Sequence, residues 1–181
     1  MKYRTIAKLI AFNIVPLVAL FFAWVFGLVQ KSYAADSTNI VYLITAIFIV
    51  AMGLVFYRAR QIDDELHEST WWVGQTPEFV QLTFENRLNP IVYMGYSLVV
   101  LGLIGTVVGF IFGLNGIDPN TMADLPTMLA SLGTILQGVG IAFYTTLIGS
   151  IGDIWLGFNI LILTGAMNQL QLRTLKRPVA A

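Results

Sequence analysis

Apolar residues occur along the chain in four long runs that are separated by polar stretches. The spans predicted within them cover about residues 9–29, 40–57, 91–114 and 128–152. The hydrocarbon core of a bilayer is about 30 Å thick, and a helix of about 20 apolar residues crosses it. The pattern therefore predicts an all-α integral membrane protein with four transmembrane helices, forming one membrane domain over residues 1–181.

The fourth run is too long for one crossing, because it stays apolar from Thr127 to about Gly165. At 1.5 Å per residue, a helix over these roughly 39 residues would measure about 58 Å, nearly twice the hydrocarbon thickness. No pair of turn residues interrupts the run. We therefore expect one long helix that leaves the membrane and extends to about residue 172. Because this extension stays apolar, identical copies are expected to cover it, which predicts a homo-oligomer.

The first run raises the question of a cleaved signal peptide. A short basic head precedes it, and a tripeptide that resembles a signal-peptidase site follows it at Ser32-Tyr33-Ala34. The run is about 21 residues long, however, whereas the apolar part of a signal peptide has about 7 to 15. We therefore expect a membrane helix with a kink near Asn13, because Pro16 removes a backbone donor. Asn13 is interpreted as a polar partner of that kink.

Lysine and arginine residues predict the orientation of the chain. If the amino terminus faces the cytoplasm, Lys31 is outside and the other basic residues are inside. The inside group comprises Lys2, Arg4, Lys8, Arg58, Arg60, Arg87, Arg173, Lys176 and Arg177. An excess of Lys and Arg marks cytoplasmic segments of membrane proteins. The sequence thus predicts that both termini, the polar segment 58–89 and the extension of the last helix lie in the cytoplasm.

Composition excludes several classes of function. Hydrophobic residues make up 57% of the chain and charged residues 11%, against about 25% charged in an ordinary soluble domain. The formal net charge is zero, and no basic cluster is interleaved with aromatic residues, so a nucleic acid is not expected as a partner. The absence of cysteine excludes disulfides and thiolate metal sites.

Catalytic and metal-binding chemistry are also not expected. His67 stands beside several carboxylates in the polar segment 58–89. No second His or Cys completes a ligand set, however, so a solvated helix face is the favoured interpretation. Nucleophile, base and metal ligands do not converge at any point of the sequence. We therefore predict a protein that is not an enzyme and has no cofactor.

Glycines surround one threonine in the third run, which contains the sequence LGLIGTVVG from Leu101 to Gly109. At 100° per residue, several glycines fall within about 60° of Thr106 on a helical wheel. These are Gly95, Gly102, Gly109 and Gly113, with Gly105 directly before the threonine. A face that is almost bare backbone allows a neighbouring helix to approach closely, so these glycines are predicted to pack against another helix.

The fourth run carries a matching stripe around Thr146. Ala142, Gly149, Ser150, Asp153 and Gly157 lie within about 60° of that threonine by the same count. Asp153 is two turns beyond Thr146, and three roles stay open for it: a proton exit group, the partner of an arginine, or a cap-like acid at the water boundary.

Three further side chains of the fourth run lie on the opposite face from Thr146. Gln137 is interpreted as an interhelical hydrogen-bond partner, and Tyr144 and Trp155 as packing residues.

The two glycine-rich stretches together resemble the MotA/TolQ/ExbB family of proton-channel subunits. The second stretch, GVGIAFYTTLIG from Gly138 to Gly149, follows LGLIGTVVG at the family's spacing. The resemblance covers about residues 98–160. The sequence departs from the family pattern at Ile141, where a glutamate is often found, and at Trp155, where a proline is common. The segment 58–89 is also much shorter than in flagellar stators.

The resemblance implies a function, an assembly and a set of pathway residues. It implies five copies in a ring around a single-span partner like ExbD, TolR or MotB, in the bacterial inner membrane. A membrane aspartate of the partner would carry protons, or possibly sodium, past threonines of the ring. Those threonines would be Thr106, Thr145 and Thr146 here. Asp153 is a further candidate for the pathway, with its three roles left open, and Gly149 is counted among the packing glycines.

Two functions from different classes remain open at this stage. The first is an ion-driven subunit that couples proton flow to mechanical work through its partner. The second is a non-conducting membrane scaffold that assembles through its glycine-rich faces, because such faces usually serve packing and threonine often bonds the carbonyl one turn back. The process that is driven, whether flagellar, Ton/Tol-like, gliding, secretion or defence, is not specified by these residues.

Overall fold

The computed structural model describes residues 4–67, 75–115 and 125–176. These residues form five helices, with no strand among them. The helices are α1 (Arg4–Val25), α2 (Leu28–Ala35), α3 (Ile40–His67), α4 (Pro77–Asn115) and α5 (Leu125–Lys176). Within this described part of the chain, four helices are long and apolar enough to cross a membrane. The prediction of an all-helical, multi-pass membrane protein is confirmed at this level.

The first apolar run does not form one helix to residue 29. α1 ends at Val25, and Gly27 has φ 74° and ψ 8°, the left-handed conformation that ends helices. The chain then forms the short α2. Asp36 follows it and starts α3, since its carboxylate accepts the backbone N–H of Thr38 at 3.0 Å and of Val41 at 2.7 Å. Pro16 lies inside α1.

The segment 58–89 is largely helical rather than a loop. α3 continues to His67 and α4 begins at Pro77, so both helices extend well beyond their apolar runs. Pro90, which directly precedes the third apolar run, lies inside α4. The helix continues through it because buried residues on both sides, Leu88 and Ile91, pack in the same core. Lys2 and Arg177, which contribute to the predicted orientation, lie outside the described residues.

α4 and α5 make the most extensive helix contact in the structure. They run antiparallel, with Gly113 against Ile135 at one end and Gln81 bonded to Gln171 at the other. A set of buried positions on each helix recurs at alternating intervals of three and four residues. On α4 they are Leu88, Ile91, Gly95, Leu98, Gly102, Gly105 and Gly109, and on α5 they are Gly138, Ala142, Thr145, Gly149, Gly152, Leu156, Asn159 and Leu163. This 3.5-residue repeat is typical of left-handed coiled-coil packing, and we call it the seam.

α1 and α3 pack on one side of the α4–α5 pair. Phe48 of α3 contacts Trp155 of α5 with ring centroids 5.1 Å apart, and Phe12 of α1 contacts Phe158 at 5.6 Å. The core lies toward the end where α1 begins and α3 ends. It is built from apolar residues of four helices: Leu9, Ala51, Val55, Ala59, Ile62, Val80, Phe84, Leu88, Ile91, Leu156, Leu163, Ala166 and Met167.

Candidate functional site

Four glycines of α4 lie where α5 comes closest. A Cβ on Gly102 would lie 3.1 Å from the carbonyl oxygen of Thr145, and one on Gly109 would lie 2.6 Å from that of Gly138. At Gly113 the nearest backbone atom, the Ile135 oxygen, would be 3.2 Å away, and at Gly105 a Cβ would collide with the Thr145 side chain. The neighbouring atoms are mostly rigid backbone, so this face of α4 has no room for a side chain.

The glycines of α5 fill the reciprocal role. A Cβ on Gly149 would collide with the carbonyl oxygen of Leu98, and one on Gly138 would meet the amide nitrogen of Gly113 at 2.5 Å. The glycine-rich faces of the two helices therefore cover each other within one chain. They are not bare surfaces that await another molecule.

Thr145 is enclosed in this contact. It is fully buried, and its hydroxyl donates within α5 to the carbonyl oxygens of Ile141 at 3.0 Å and Ala142 at 3.1 Å. The carbonyl oxygen of Gly102 on α4 is 3.4 Å away. Each of these acceptors is backbone, so Thr145 joins the two helices and does not present its hydroxyl to the outside.

Thr146 and Thr106 are each half-buried at the edge of the same contact. The Thr146 hydroxyl donates to the carbonyl oxygen of Gly102 at 3.0 Å, across to α4. The Thr106 hydroxyl donates to Leu103 in its own helix. The helical wheel had placed Thr106 at the centre of the glycine face. The seam repeats every 3.5 residues rather than 3.6, and on it Gly105 takes the central position while Thr106 lies one residue outside.

Asp153 is half-buried beside α4. Its Oδ1 would be 2.8 Å from a Cβ on Gly95, so the absence of a side chain at Gly95 makes space for the carboxylate. α5 continues without a break from Leu125 to Lys176, so Asp153 is in the helix interior and does not cap a helix end. Within the described residues it forms no ion pair, which leaves the arginine-partner role without support.

Thr106, Thr146 and Asp153 share one flank of the α4–α5 pair. Each directly follows a seam residue, namely Gly105, Thr145 and Gly152. In an antiparallel coiled coil, the positions that follow the seam on the two helices border the same groove. From the helix register, the three side chains lie at intervals of about 6 Å and about 10 Å along the axis. We call this row the polar flank.

The polar flank faces away from the rest of the chain. Trp155 and Phe158, which contact α3 and α1, lie on other sides of α5. Large apolar residues next to the polar flank are exposed, including Val107 at 59% and Phe143 at 67%. The three polar groups are therefore available at the surface of the single chain, to lipid or to another protein.

A second polar cluster, which the sequence analysis assigned only in part, lies inside the bundle. Asn13 of α1 donates to the side-chain oxygen of Asn159 at 2.6 Å and to the carbonyl of Leu9 at 2.8 Å. Trp155 donates its indole N–H to the Asn13 side-chain oxygen at 2.6 Å. Asn159 is fully buried and Asn13 is 4% exposed. The sequence signal for such a pair is one asparagine in each of two apolar runs. Only Asn13 was identified from the sequence, and Asn159 was missed.

No metal-binding group is formed by the described residues, that is, no cluster of three His, Cys, Asp or Glu side chains. Gln137, expected to bridge helices, is exposed. Comparisons of the chain with protein families, with curated proteins and with solved structures found no match to any of them.

Proposed function

We propose that this protein is the ring-forming subunit of an ion-driven motor, which passes protons across the membrane with the help of a single-span partner. The observation that carries the proposal is the polar flank, on which Thr106, Thr146 and Asp153 lie in line at the surface of the chain. The motif resemblance to MotA/TolQ/ExbB subunits supports it, since Thr106 and Thr146 are two of the three threonines that it indicates. The third, Thr145, is buried between α4 and α5 and is not part of the proposed path.

The charge pattern explains why a partner is needed. The four predicted spans contain no charged residue, and Asp153 directly follows the last of them. A carboxylate at the centre of a span costs about 3 kcal/mol unless polar groups or water surround it. We infer that the carrier is an aspartate of a partner like ExbD, TolR or MotB, and that Thr106 and Thr146 supply the polar groups beside it.

The proposed assembly is a homopentamer in the bacterial inner membrane. In such a ring the polar flank of each copy faces the central axis, where the partner helix lies. Protons are the proposed ion, with sodium as the alternative, because hydroxyl-lined sites serve either. The apolar residues exposed on the outer side of the α4–α5 pair, such as Leu147 at 54% and Ile154 at 60%, would contact lipid or neighbouring copies.

The scaffold alternative loses part of its basis. It required glycine-rich faces that join separate copies, yet Gly102, Gly109 and Gly149 already pack within one chain. Any contact between copies would have to be formed by residues other than these glycines.

A flux measurement tests the proposal. The chain is reconstituted in liposomes with a single-span partner that carries a membrane aspartate, and proton entry is followed with a pH-sensitive dye. Thr146→Val should abolish most of the flux, because a methyl group replaces the hydroxyl on the polar flank. Thr134→Val is the matched control. Its hydroxyl bonds only the Ala130 carbonyl, one turn back in α5, and it does not follow a seam residue. Equal flux in both variants, or none in the wild type, would contradict conduction through the flank.

The mass of the detergent-solubilised particle tests the assembly. Five copies of the 20.0 kDa chain should give a protein mass of about 100 kDa, before the partner is added. A monomer or dimer under the same conditions would contradict the ring.

A further inference from the structure

A cleft opens between α1, α3 and α5 at the end of the bundle where α1 begins. Its volume is about 410 Å³, within the range of ligand-binding pockets. The lining includes Arg4 and Lys8 of α1, Asp63 and His67 of α3, and Gln169 of α5. The polar flank and the Asn13 cluster contribute no residue to it, so the cleft is a separate feature of the molecule.

The one carboxylate in this lining is occupied by the backbone of α1. Asp63 is 1% exposed and accepts the N–H of Thr5 at 3.0 and 3.1 Å and the N–H of Ile6 at 3.0 Å. These donors and the positive end of the α1 dipole stabilise its charge. Arg4 and Lys8 form no ion pair within the described residues. The two cations are therefore available to an anion in the cleft.

In a bilayer that covers the apolar run of α1, the two cations would lie at the depth of lipid phosphates. Lys8 directly precedes the apolar run that begins at Leu9, and Arg4 lies one turn, about 6 Å, further out. The headgroup layer of a bilayer is roughly 5–7 Å thick on each side. Arg4 and Lys8 are four residues apart and thus share one face of α1. Both can reach a phosphate that lies in this layer.

We propose that the cleft binds the phosphate group of an anionic phospholipid. The face of α1 below Lys8 favours a lipid over free phosphate, because it is apolar and exposed. Val15 is 71% exposed, and Val18 and Phe22 continue the same face at 49% and 53%. Acyl chains can pack along these side chains while Arg4 and Lys8 hold the phosphate. Basic pockets between membrane helices recognise anionic headgroups in this manner. This site requires that the chain lies in a membrane, and it does not depend on ion conduction.

Lipid binding to the full chain tests the proposal. Detergent-solubilised protein is titrated with phosphatidylglycerol or phosphatidylcholine, and bound lipid is counted by native mass spectrometry. The double variant R4Q/K8Q should bind phosphatidylglycerol roughly thirtyfold more weakly than the wild type. The single variant K8Q should bind phosphatidylglycerol roughly fivefold more weakly than the wild type. This variant keeps the test available if the double variant does not fold. The wild type should prefer phosphatidylglycerol to phosphatidylcholine.

The matched control is the double variant K31Q/R60Q. It removes the same amount of charge from two exposed residues that do not line the cleft, and it should change binding less than twofold. An equal loss in both double variants, or equal binding of the two lipids by the wild type, would overturn the proposal. Displacement of phosphatidylglycerol by an equal concentration of inorganic phosphate would also overturn it, because the site would then hold free phosphate and not lipid.

Discussion

The seam between α4 and α5 is packed in two different ways along its length. Between Gly102 and Gly109 it is a glycine half, where the two backbones approach so closely that no side chain fits at either glycine. Toward the start of α4 it is a large-residue half, where Leu88 and Ile91 pack in the apolar core together with Val80 and Phe84, which precede the seam. The same two helices thus use opposite solutions within one continuous 3.5-residue repeat.

The difference reflects what surrounds each half. In lipid there is little hydrophobic driving force between helices, so association depends on close packing, which small residues allow. The large-residue half of α4 reaches beyond the apolar run that begins near residue 91, where burial from water stabilises bulky apolar side chains. The glycine half should therefore be sensitive to added atoms and the large-residue half to removed ones.

The largest effect is expected from Gly138→Ala. The added Cβ would collide with the Gly109 carbonyl oxygen and lie 2.6 Å from the Gly113 Cα. Because these atoms belong to rigid backbone, the two helices must separate, at a cost of more than about 3 kcal/mol. The free energy of unfolding, determined in mixed micelles, measures this cost. Gly140→Ala, where nothing lies within 4 Å of the added Cβ, should be neutral or stabilising by about 0.5–1 kcal/mol. Equal losses in the two variants would refute the close-contact account.

Leu163→Ala should produce a somewhat smaller loss in the large-residue half. Leu163 is fully buried, and truncation leaves a cavity that costs about 2.5 kcal/mol. The same unfolding assay applies, with Leu161→Ala as the control. Leu161 is 66% exposed, so its truncation should change stability by about 0.5 kcal/mol or less. If the two truncations cost the same, the core does not lie where we place it.

The Asn13 cluster should give the smallest effect. In a double-mutant cycle of Asn13→Leu and Asn159→Leu, we expect a coupling energy of about 1 kcal/mol, close to the values for hydrogen bonds between membrane helices. The 2.6 Å bond between the two side chains is lost in either single variant, so the double variant should cost less than the sum. Strict additivity would show that the bond contributes nothing to stability.

Much of the fold was predictable from the apolar runs. Four helices long enough to cross a membrane coincide with the four runs, and the single long last helix is observed from Leu125 to Lys176. The helix ends were not predictable in the same way. α1 ends at Val25 because Gly27 adopts a left-handed conformation, and hydrophobicity carries no sign of that. α4 runs through Pro90 because tertiary packing on both sides outweighs one missing backbone bond.

The site was predictable in its residue types and less so in their arrangement. Glycine and threonine stripes identify the contact between α4 and α5, but a wheel of 3.6 residues per turn cannot show which threonine is central. The supercoiled seam buries Thr145 and moves Thr106 to the flank. Asn13 was expected to serve the kink at Pro16. Its side chain bonds Asn159 and Trp155, which are distant in the sequence. The apolar pattern shows where helices form and does not show which residues of two helices meet.

The length of α5 has a mechanical consequence. It is 52 residues long, about 78 Å as a straight helix, and the thin glycine contact touches it near the middle. The half of α5 beyond Thr146 is not free to swing, because Leu163 and Met167 are buried in the core and Gln171 bonds Gln81 of α4. A displacement of α5 at the polar flank would therefore carry the packed ends of α3 and α4 with it, and the far end of the bundle would tilt as one body.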